Sequence, residues 1–402
     1  MIRKEILAYS LRNLWHRKAR SFLTILSIFI GIATIFVFLS FGLGLFNYVN
    51  SFMTGSSADK IMITAKGMGV TGGDGSFVLN DNDISAIEKA SGVYEATGMY
   101  AKAAEVKQGR LNKYVFAIGF DPAKPLFFEL SNVEIFKGRM LQPGDYGKVL
   151  LGYNYLIENK IFPKTYDIND EIEVQGKKLK IVGFLSEVGN PSDDSQIYMT
   201  HEYLPDLYSD NNMSYAMAIA RVDIDDIPKA VENVEKSLRN ERGLDKGKED
   251  FFVRSFQETL KTYTSALNII VVFIILIALI SVIVSAINTA NTMVTSVIER
   301  VKEIGVIKSI GARNSEIFKI FLFESGFLGF TGGVIGVLLG FIVTSLAKSI
   351  LVSLGWSFLS PAYTWYLFVG CIAFATITGA VSGALPAYQA SKIRPVDALR
   401  YE

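Results

Sequence analysis

Cysteine and histidine are nearly missing from this chain. Its one cysteine, Cys371, lies in an apolar run, which excludes an intramolecular disulfide and a cysteine-rich metal site. Two histidines, His16 and His201, leave little for zinc chemistry. No phosphate loop ending in Gly-Lys-Ser/Thr occurs, and neither a His-Glu-x-x-His nor a Gly-x-Ser-x-Gly pattern is present. Charge is also scarce. Only 20% of the 402 residues are charged, against about a quarter in a typical soluble domain. The formal net charge of +1 supplies no global basic field for nucleic acid. Half the residues are hydrophobic and the mean hydropathy is +0.31, which excludes a disordered, collagen-like or disulfide-stapled chain.

The charge that exists is segregated. Ser21 to Ala58 holds no charged residue, and neither does Thr262 to Ile298. Glu324 and Lys348 are the only charges between Lys319 and Lys392. The block from Asp59 to Lys261 carries 32 acidic and 25 basic residues, net −7, and the rest of the chain is net +8. Acid and base in separate compartments point to a membrane protein.

A helix needs about 20 apolar residues to cross the hydrocarbon core. Four windows qualify: Phe22 to Phe46, Leu267 to Ile287, Ser325 to Ala347 and Trp365 to Leu385. The last opens on Tyr363, Trp365 and Tyr366, which suits an interfacial aromatic belt. The first exceeds the roughly 7–15 apolar residues of a cleaved signal peptide and reads as a retained anchor. Orientation follows from Lys and Arg near the spans. Arg3, Lys4, Arg12, Arg17, Lys18 and Arg20 precede span one. Arg300, Lys302, Lys308, Arg313 and Lys319 lie between spans two and three, and Lys392, Arg394 and Arg400 follow span four. Both termini are therefore expected in the cytoplasm and the polar block outside.

The expected fold is an α-helical membrane protein with four transmembrane helices and a mixed α+β extracytoplasmic domain inserted between helices 1 and 2. The expected segments are a cytoplasmic amphipathic segment 1–20, helix 1 with an outer stalk 21–50 and the external domain 51–260. A stalk with helix 2 follows at 261–295, then a cytoplasmic connection 296–316. Helix 3 covers 317–348, helix 4 covers 363–386, and a tail covers 387–402. Ile6, Tyr9 and Leu14 make the first segment amphipathic, fit to lie on anionic headgroups. The charge-free runs around spans one and two exceed a bilayer's thickness, so part of each is expected to project as a stalk.

Within the external block, Asp59 to Thr64 alternates like a strand, and Asn80 or Asp81 could cap a helix to Ala90. Tyr114 to Gly119 is β-like. Glu171 to Val182 reads as a hairpin around Gln175-Gly176, and Asp225 or Asp226 starts a helix running to Gly243. The glycine-rich run from Lys66 to Gly75 reads as a flexible loop, since it lacks the phosphate-loop ending. In the spans, Gly332, Gly336 and Gly340 share one face of helix 3, and Gly379 and Gly383 one face of helix 4. Small residues at this spacing let helices approach closely, within the chain or between two copies. Glu324 is expected at the inner edge, in reach of water, and Ser285, Asn288 and Asn291 as helix-packing groups. The connection from Glu299 to Ser325 reads as a short amphipathic helix, a Gly311-Ala312 break and a new helix capped by Asn314 or Ser315.

This connection carries a resemblance. Glu299-Arg300, Glu303-Ile304-Gly305, Lys308, Gly311-Ala312, Ile317, Phe321-Leu322 and Glu324 resemble the signature of MacB/FtsX-type ABC transporter permeases. Pro386, Ala390, Pro395, Ala398-Leu399-Arg400 and Glu402 resemble that family's ending, and Gly138 to Leu141, Val149 to Gly152 and Ile172 to Gly183 resemble its periplasmic core. The resemblance implies a transport subunit that is not itself an enzyme. It holds no cofactor, ATP and Mg being bound by a separate ABC ATPase subunit, because this sequence starts directly at the permease. It implies a second permease copy, with a homodimer favoured, contact with membrane lipids, and room for an extracytoplasmic adaptor, in the cell membrane. The expected work is export or extraction of a substrate from the outer leaflet or external space by mechanotransmission. The alternative is an FtsX-like signalling subunit regulating an extracytoplasmic partner such as a cell-wall hydrolase. The implied ATPase-coupling residues are Glu299, Arg300, Lys302, Glu303, Ile304, Gly305, Ile307, Lys308, Gly311, Ala312 and Arg313. Among these, Glu303 and Lys308 are expected at the rim of the contact and Ile304 and Ile307 in a groove of the partner, with Gly305 and Gly311 permitting close approach and the turn.

Overall fold

Among the described residues, four helices are long and apolar enough to span a bilayer. They are α1 (Lys18–Ser51), α6 (Phe256–Glu299), α8 (Asn314–Leu354) and α9 (Trp365–Ser391). The remaining helices are α2 (Asp81–Glu88), α3 (Leu126–Ser131), α4 (Tyr203–Tyr208), α5 (Ile227–Arg242), α7 (Val301–Ser309) and α10 (Pro395–Leu399). The computed structural model describes residues 18–51, 58–66, 79–210 and 213–399. The amphipathic segment around Ile6, Tyr9 and Leu14, most of the glycine-rich run after Lys66, and the last three residues of the tail lie outside them. The chain divides into two units. The external unit holds Phe46–Ala266 and Leu351–Phe358, and the helical unit holds Leu267–Ile350 and the flanking segments.

In the external unit, β1 (Lys60–Ala65), β2 (Val93–Gln108), β3 (Leu111–Phe120), β4 (Ile135–Gly138), β5 (Lys148–Leu151), β6 (Glu171–Val174), β7 (Lys177–Leu185), β8 (Ile197–Thr200), β9 (Met217–Val222) and β10 (Phe251–Ser255) form one sheet. The order is β10-β1-β9-β2-β3-β8-β5-β7-β4, with β6 pairing β2 and β7. At 16 residues β2 is long enough to serve two lobes. Its first half pairs with β9 and its second half with β3 and β6. On the first lobe Ile61, Ile63, Ile87, Val234 and Leu238 form a core under α2 and α5. On the second, Val106, Val149, Ile172, Ile181 and Phe184 form another.

Local signals set these elements. Asn80 accepts from the backbone of Asn82 and Asp83 while Asp83 accepts from the Asn80 N–H, a capping box that starts α2. Asp83 is itself 2% exposed and holds both Nε and Nη2 of Arg242, at 2.9 and 2.8 Å. Asp226 caps α5, Pro228 sits in its first turn, and Gly243 closes it at φ 63°. The hairpin turns on Gln175 and Gly176, both at positive φ.

No local pattern assigns Leu351–Phe358, between spans three and four, to this unit. The segment packs with the external unit. Lys160 Nζ donates to the Ser353 carbonyl at 2.8 Å, Ser357 Oγ lies 2.9 Å from Glu187, and the Phe358 N–H reaches the Gly189 carbonyl at 3.2 Å.

In the helical unit the close-approach glycines do intramolecular work. A Cβ on Gly336 would stand 2.8 Å from the Phe29 carbonyl oxygen, so α8 lies against α1 there, with Gly332 and Gly340 on the same contact line. Gly379 and Gly383 meet α8 at Ser325. Both faces are occupied within the chain, so they supply no free surface for a second copy. Asn288 donates to Ser27 at 3.1 Å and Ser285 is buried, as helix-packing groups would be, whereas Asn291 is exposed.

One acidic group in the external unit gives a pH signature. Asp145 is 5% exposed and accepts from Arg139, Lys148 and the Gln142 N–H. The Arg139 hydrogen bond, with the other two, holds its carboxyl well below the ordinary range. A depressed carboxyl stabilises the fold fully above its unfolded value of about 3.9 and loses that contribution as pH falls through the folded value. Asp145→Asn should therefore destabilise the full chain by about 1–3 kcal/mol at pH 7. In thermal unfolding the deficit should hold unchanged down to about pH 5 and shrink only in stronger acid.

Candidate functional site

The connection between α6 and α8 is compact. Helix α6 ends at Glu299, Arg300 breaks the helix at φ −115°, and α7 begins with Glu303 in its first turn, where a negative charge suits the helix dipole. The helix closes in a Schellman arrangement. The Gly311 N–H bonds the Lys308 carbonyl at 3.1 Å and the Ala312 N–H bonds the Ile307 carbonyl at 3.2 Å. Gly311 takes φ 105°, which a side chain adopts only with strain. Helix α8 begins at Asn314, one residue earlier than a cap there would require. Arg313 occupies the capping position, and its N–H donates to the Glu316 carboxylate at 3.0 Å.

Three contacts fix how α7 is rotated. Arg300 is 6% exposed, and its Nη1 lies 3.1 Å from Oε2 of Glu324, which is 5% exposed. Arg300 Nε also reaches Glu303 at 3.2 Å, and its guanidinium lies 5.3 Å from the centre of the Phe321 ring. Ile304, 3% exposed, enters a core with Met293, Val297, Ile317, Phe321 and Ala387. Lys308 Nζ donates to the carbonyls of Ser391 and Ile393 at 2.9 and 2.6 Å. It thereby satisfies acceptors where α9 ends. Helix α10 packs beside α7.

Several expectations change in consequence. Ile304 fills this chain's own core, not a groove in a partner, and half-buried Ile307 packs on the same core. Lys308 holds its own chain's carbonyls instead of standing at a rim. Glu324 is paired with a guanidinium and shielded, not in reach of water. Gly305 is buried and Ala312 half-buried, while Glu299, Lys302, Glu303, Gly311 and Arg313 are exposed. The outward apolar residues are Val306, 50% exposed, and Ile310, 83% exposed. They stand at i and i+4 on one side of the segment, with Lys302 exposed one turn before Val306. Sequence reasoning missed this pair because α7 is apolar on both sides. The signal was the helical phase, since residues 304 and 307–308 share one face and residues 306 and 310 the other.

These features agree with what the chain is similar to. Residues 21–236 match the MacB-like periplasmic core domain and residues 256–395 match the FtsX-like permease C-terminal domain. The chain belongs to the MacB/FtsX-type ABC transporter permeases, multi-pass membrane proteins with a large extracytoplasmic domain after the first span. It is 29% identical to an uncharacterized ABC transporter permease of Methanocaldococcus jannaschii, over 99% of this chain and 98% of that one. It is 24% identical to the uncharacterized ABC transporter permease YknZ of Bacillus subtilis, over 99% of each. It is 26% identical to the macrolide export ATP-binding/permease protein MacB of Chlorobium phaeobacteroides, over 98% of this chain and 60% of that protein.

The Arg300–Glu324 pair generates a stability prediction. Two desolvated charges repay their burial only together, and removing one partner of such a pair costs about 3–5 kcal/mol. Glu324→Gln should lower resistance to denaturation by that order, while Arg300→Met combined with Glu324→Leu should recover most of the loss. Denaturant titration of the full chain in detergent measures both. A double-variant loss equal to the sum of the losses from Arg300→Met and Glu324→Leu measured singly would mean that the pair is not coupled.

Proposed function

We propose that the chain is a permease subunit that passes ATP hydrolysis by a separate ABC ATPase subunit, which binds the ATP and Mg, to its external domain, for export or extraction of a substrate from the outer leaflet or external space. The observation that carries this is the exposed pair Val306 and Ile310 on a helix whose other side is clamped by Ile304, Arg300 and Lys308. An 83% exposed isoleucine between basic residues is costly in water, and a protein partner would remove the cost. A clamped helix also transmits a push instead of yielding to it. Support for a separate ATPase comes from the two relatives matched end to end, which are named permeases, whereas the MacB relative is named ATP-binding/permease. The energy route is mechanical. Helix α6 is helical without a break through all 44 residues, about 66 Å, twice the thickness of a hydrocarbon core.

In this reading Val306 and Ile310 are the anchors of the ATPase contact. Lys302, Glu303 and Arg313 stand at its rim, and Gly311 sets the turn. The working unit is a pair of permease copies in the cell membrane, with both termini and α7 in the cytoplasm and the external unit outside.

Two measurements test this. Val306→Asp with Ile310→Asp should weaken binding of the ATPase subunit that copurifies from native membranes by at least about tenfold, the loss of one or two interface anchors. ATP hydrolysis stimulated by the permease should fall with it, at unchanged thermal stability. Unchanged binding would reduce the segment to a linker. For orientation, Lys246→Cys should react with an impermeant maleimide in intact cells while Ser309→Cys reacts only after permeabilisation. Both sites are exposed, and native Cys371 is buried. The reverse labelling would invert the topology.

A further inference from the structure

The external unit contains a cavity of about 500 Å³ in the range of small-molecule sites. Its walls come from β2 at Met99 and Ala101, β3 at Phe116 and Ile118, and α3 at Phe127, with the ring of Tyr198 behind them. These surfaces are apolar and include three aromatic rings. Polar lining comes from Ser192, Asp193 and Gln196 in the turn before β8, from Ser131 at the end of α3 and from Tyr48 near the end of α1, and Asp193 is the charged group among them.

That carboxylate is unusual in its company. Asp193 accepts from Asn190 Nδ2 at 2.9 Å and from Gln196 Nε2 at 3.0 Å. Gln196 in turn accepts from the Tyr198 hydroxyl at 2.9 Å. All of these partners are neutral, and among the described residues Asp193 makes no ion pair. Its neighbour Asp194 accepts from the Val188 and Gly189 N–H groups, so no cation arrives from that side either. Burial raises the Asp193 carboxyl above its ordinary value, and burial raises Asp194 likewise, with Glu187 and Asp193 adding to it. Burial also raises the Tyr198 hydroxyl, with the two aspartates adding to it. The site is thus an apolar, aromatic-walled chamber with a surplus of negative charge at one side. A positive group brought to Asp193 would favour its charged form and relieve that surplus.

We propose that this cavity binds a cationic amphiphile, an organic molecule whose apolar body lies on Phe116, Phe127 and Ile118 while its positive centre faces Asp193. Aromatic walls suit this class twice, because ring faces attract cations as well as apolar surface. The proposal rests on the reading that the external domain handles the substrate, and it names that substrate's chemical class.

The test uses the full chain in detergent micelles, without any ATPase, so it can fail while ATPase coupling stands, and the reverse. Equilibrium dialysis compares tetraphenylphosphonium with tetraphenylborate, two ions of nearly the same shape and opposite charge. The phosphonium should bind saturably and the borate at least about tenfold more weakly, the difference expected from one charge-assisted contact. Asp193→Asn should reduce phosphonium binding by about the same factor at unchanged thermal stability. Ala101→Trp, which places an indole in the chamber and leaves the acid intact, should abolish it. Should Asp193→Asn fail to fold, Ala101→Trp and the ion pair of probes decide alone. Equal binding of the two ions, or phosphonium binding that survives Ala101→Trp, would overturn the proposal.

Discussion

Inside hydrocarbon a backbone amide has no water to bond, and that constraint orders the rest of this chain. It requires a helix wherever the chain crosses hydrocarbon, and helices are what α1, α6, α8 and α9 are. The same constraint governs the polar side chains within them. Thr34, Thr289, Thr344 and Thr376 each turn the hydroxyl back to the carbonyl four residues earlier. Thr24 meets Thr292 at 2.7 Å across α1 and α6. Besides such bonds across helices, close packing holds the helices together. Glycine supplies it, bringing α8 against both α1 and α9. With those faces used, neither offers a free surface to a second copy of the chain.

The connection between α6 and α8 shows how a small segment acquires a fixed direction. Nine helical residues are too few to be stable alone. Their orientation comes from outside the helix. Arg300 holds one end through Glu324, Ile304 fills the middle, and Lys308 ties the other end to the carbonyls where α9 finishes. Each of these residues belongs to the family signature read from the sequence. Their work in this structure is to position the segment. The residues that face outward, Val306 and Ile310, stand between the signature positions.

Element existence was legible and side-chain destination was not. The four spans, the capping signals at Asn80 and Asp226, the turn at Gln175-Gly176 and the break at Gly311 each depend on a few neighbouring residues, so local chemistry declares them. The strand order depends on which distant segments meet, and no local pattern encodes that. Leu351–Phe358 illustrates the difference. Its sequence reads as a short connection between spans three and four, and only contacts to Lys160, Glu187 and Gly189 assign it to the external unit. Glu324 failed in the same way. A carboxylate near a span end suggests water until a guanidinium 24 residues away is seen beside it. The direction of Ile304 against that of Val306 likewise turned on which face of a helix with apolar residues on both sides met the core.

Three carboxylates show what the surroundings decide. Asp145 is nearly buried and receives two cations and a backbone N–H, so its charge is stabilised in place and its carboxyl titrates low. Glu324 is nearly buried and receives one guanidinium that also serves Glu303, so its charge orients a helix. Asp193 is offered only amides, and its carboxyl is pushed the other way. The sequence places cations elsewhere in the external unit freely, including Lys60 at 1% exposure between Asp59 and Glu129. Asp193, like Asp194 beside it, is left without a cation next to an open apolar chamber, whereas Asp145 and Lys60 each meet opposite charge. Such unfilled demand, stable only at a cost to the fold, is the physical condition for binding something that brings the missing charge.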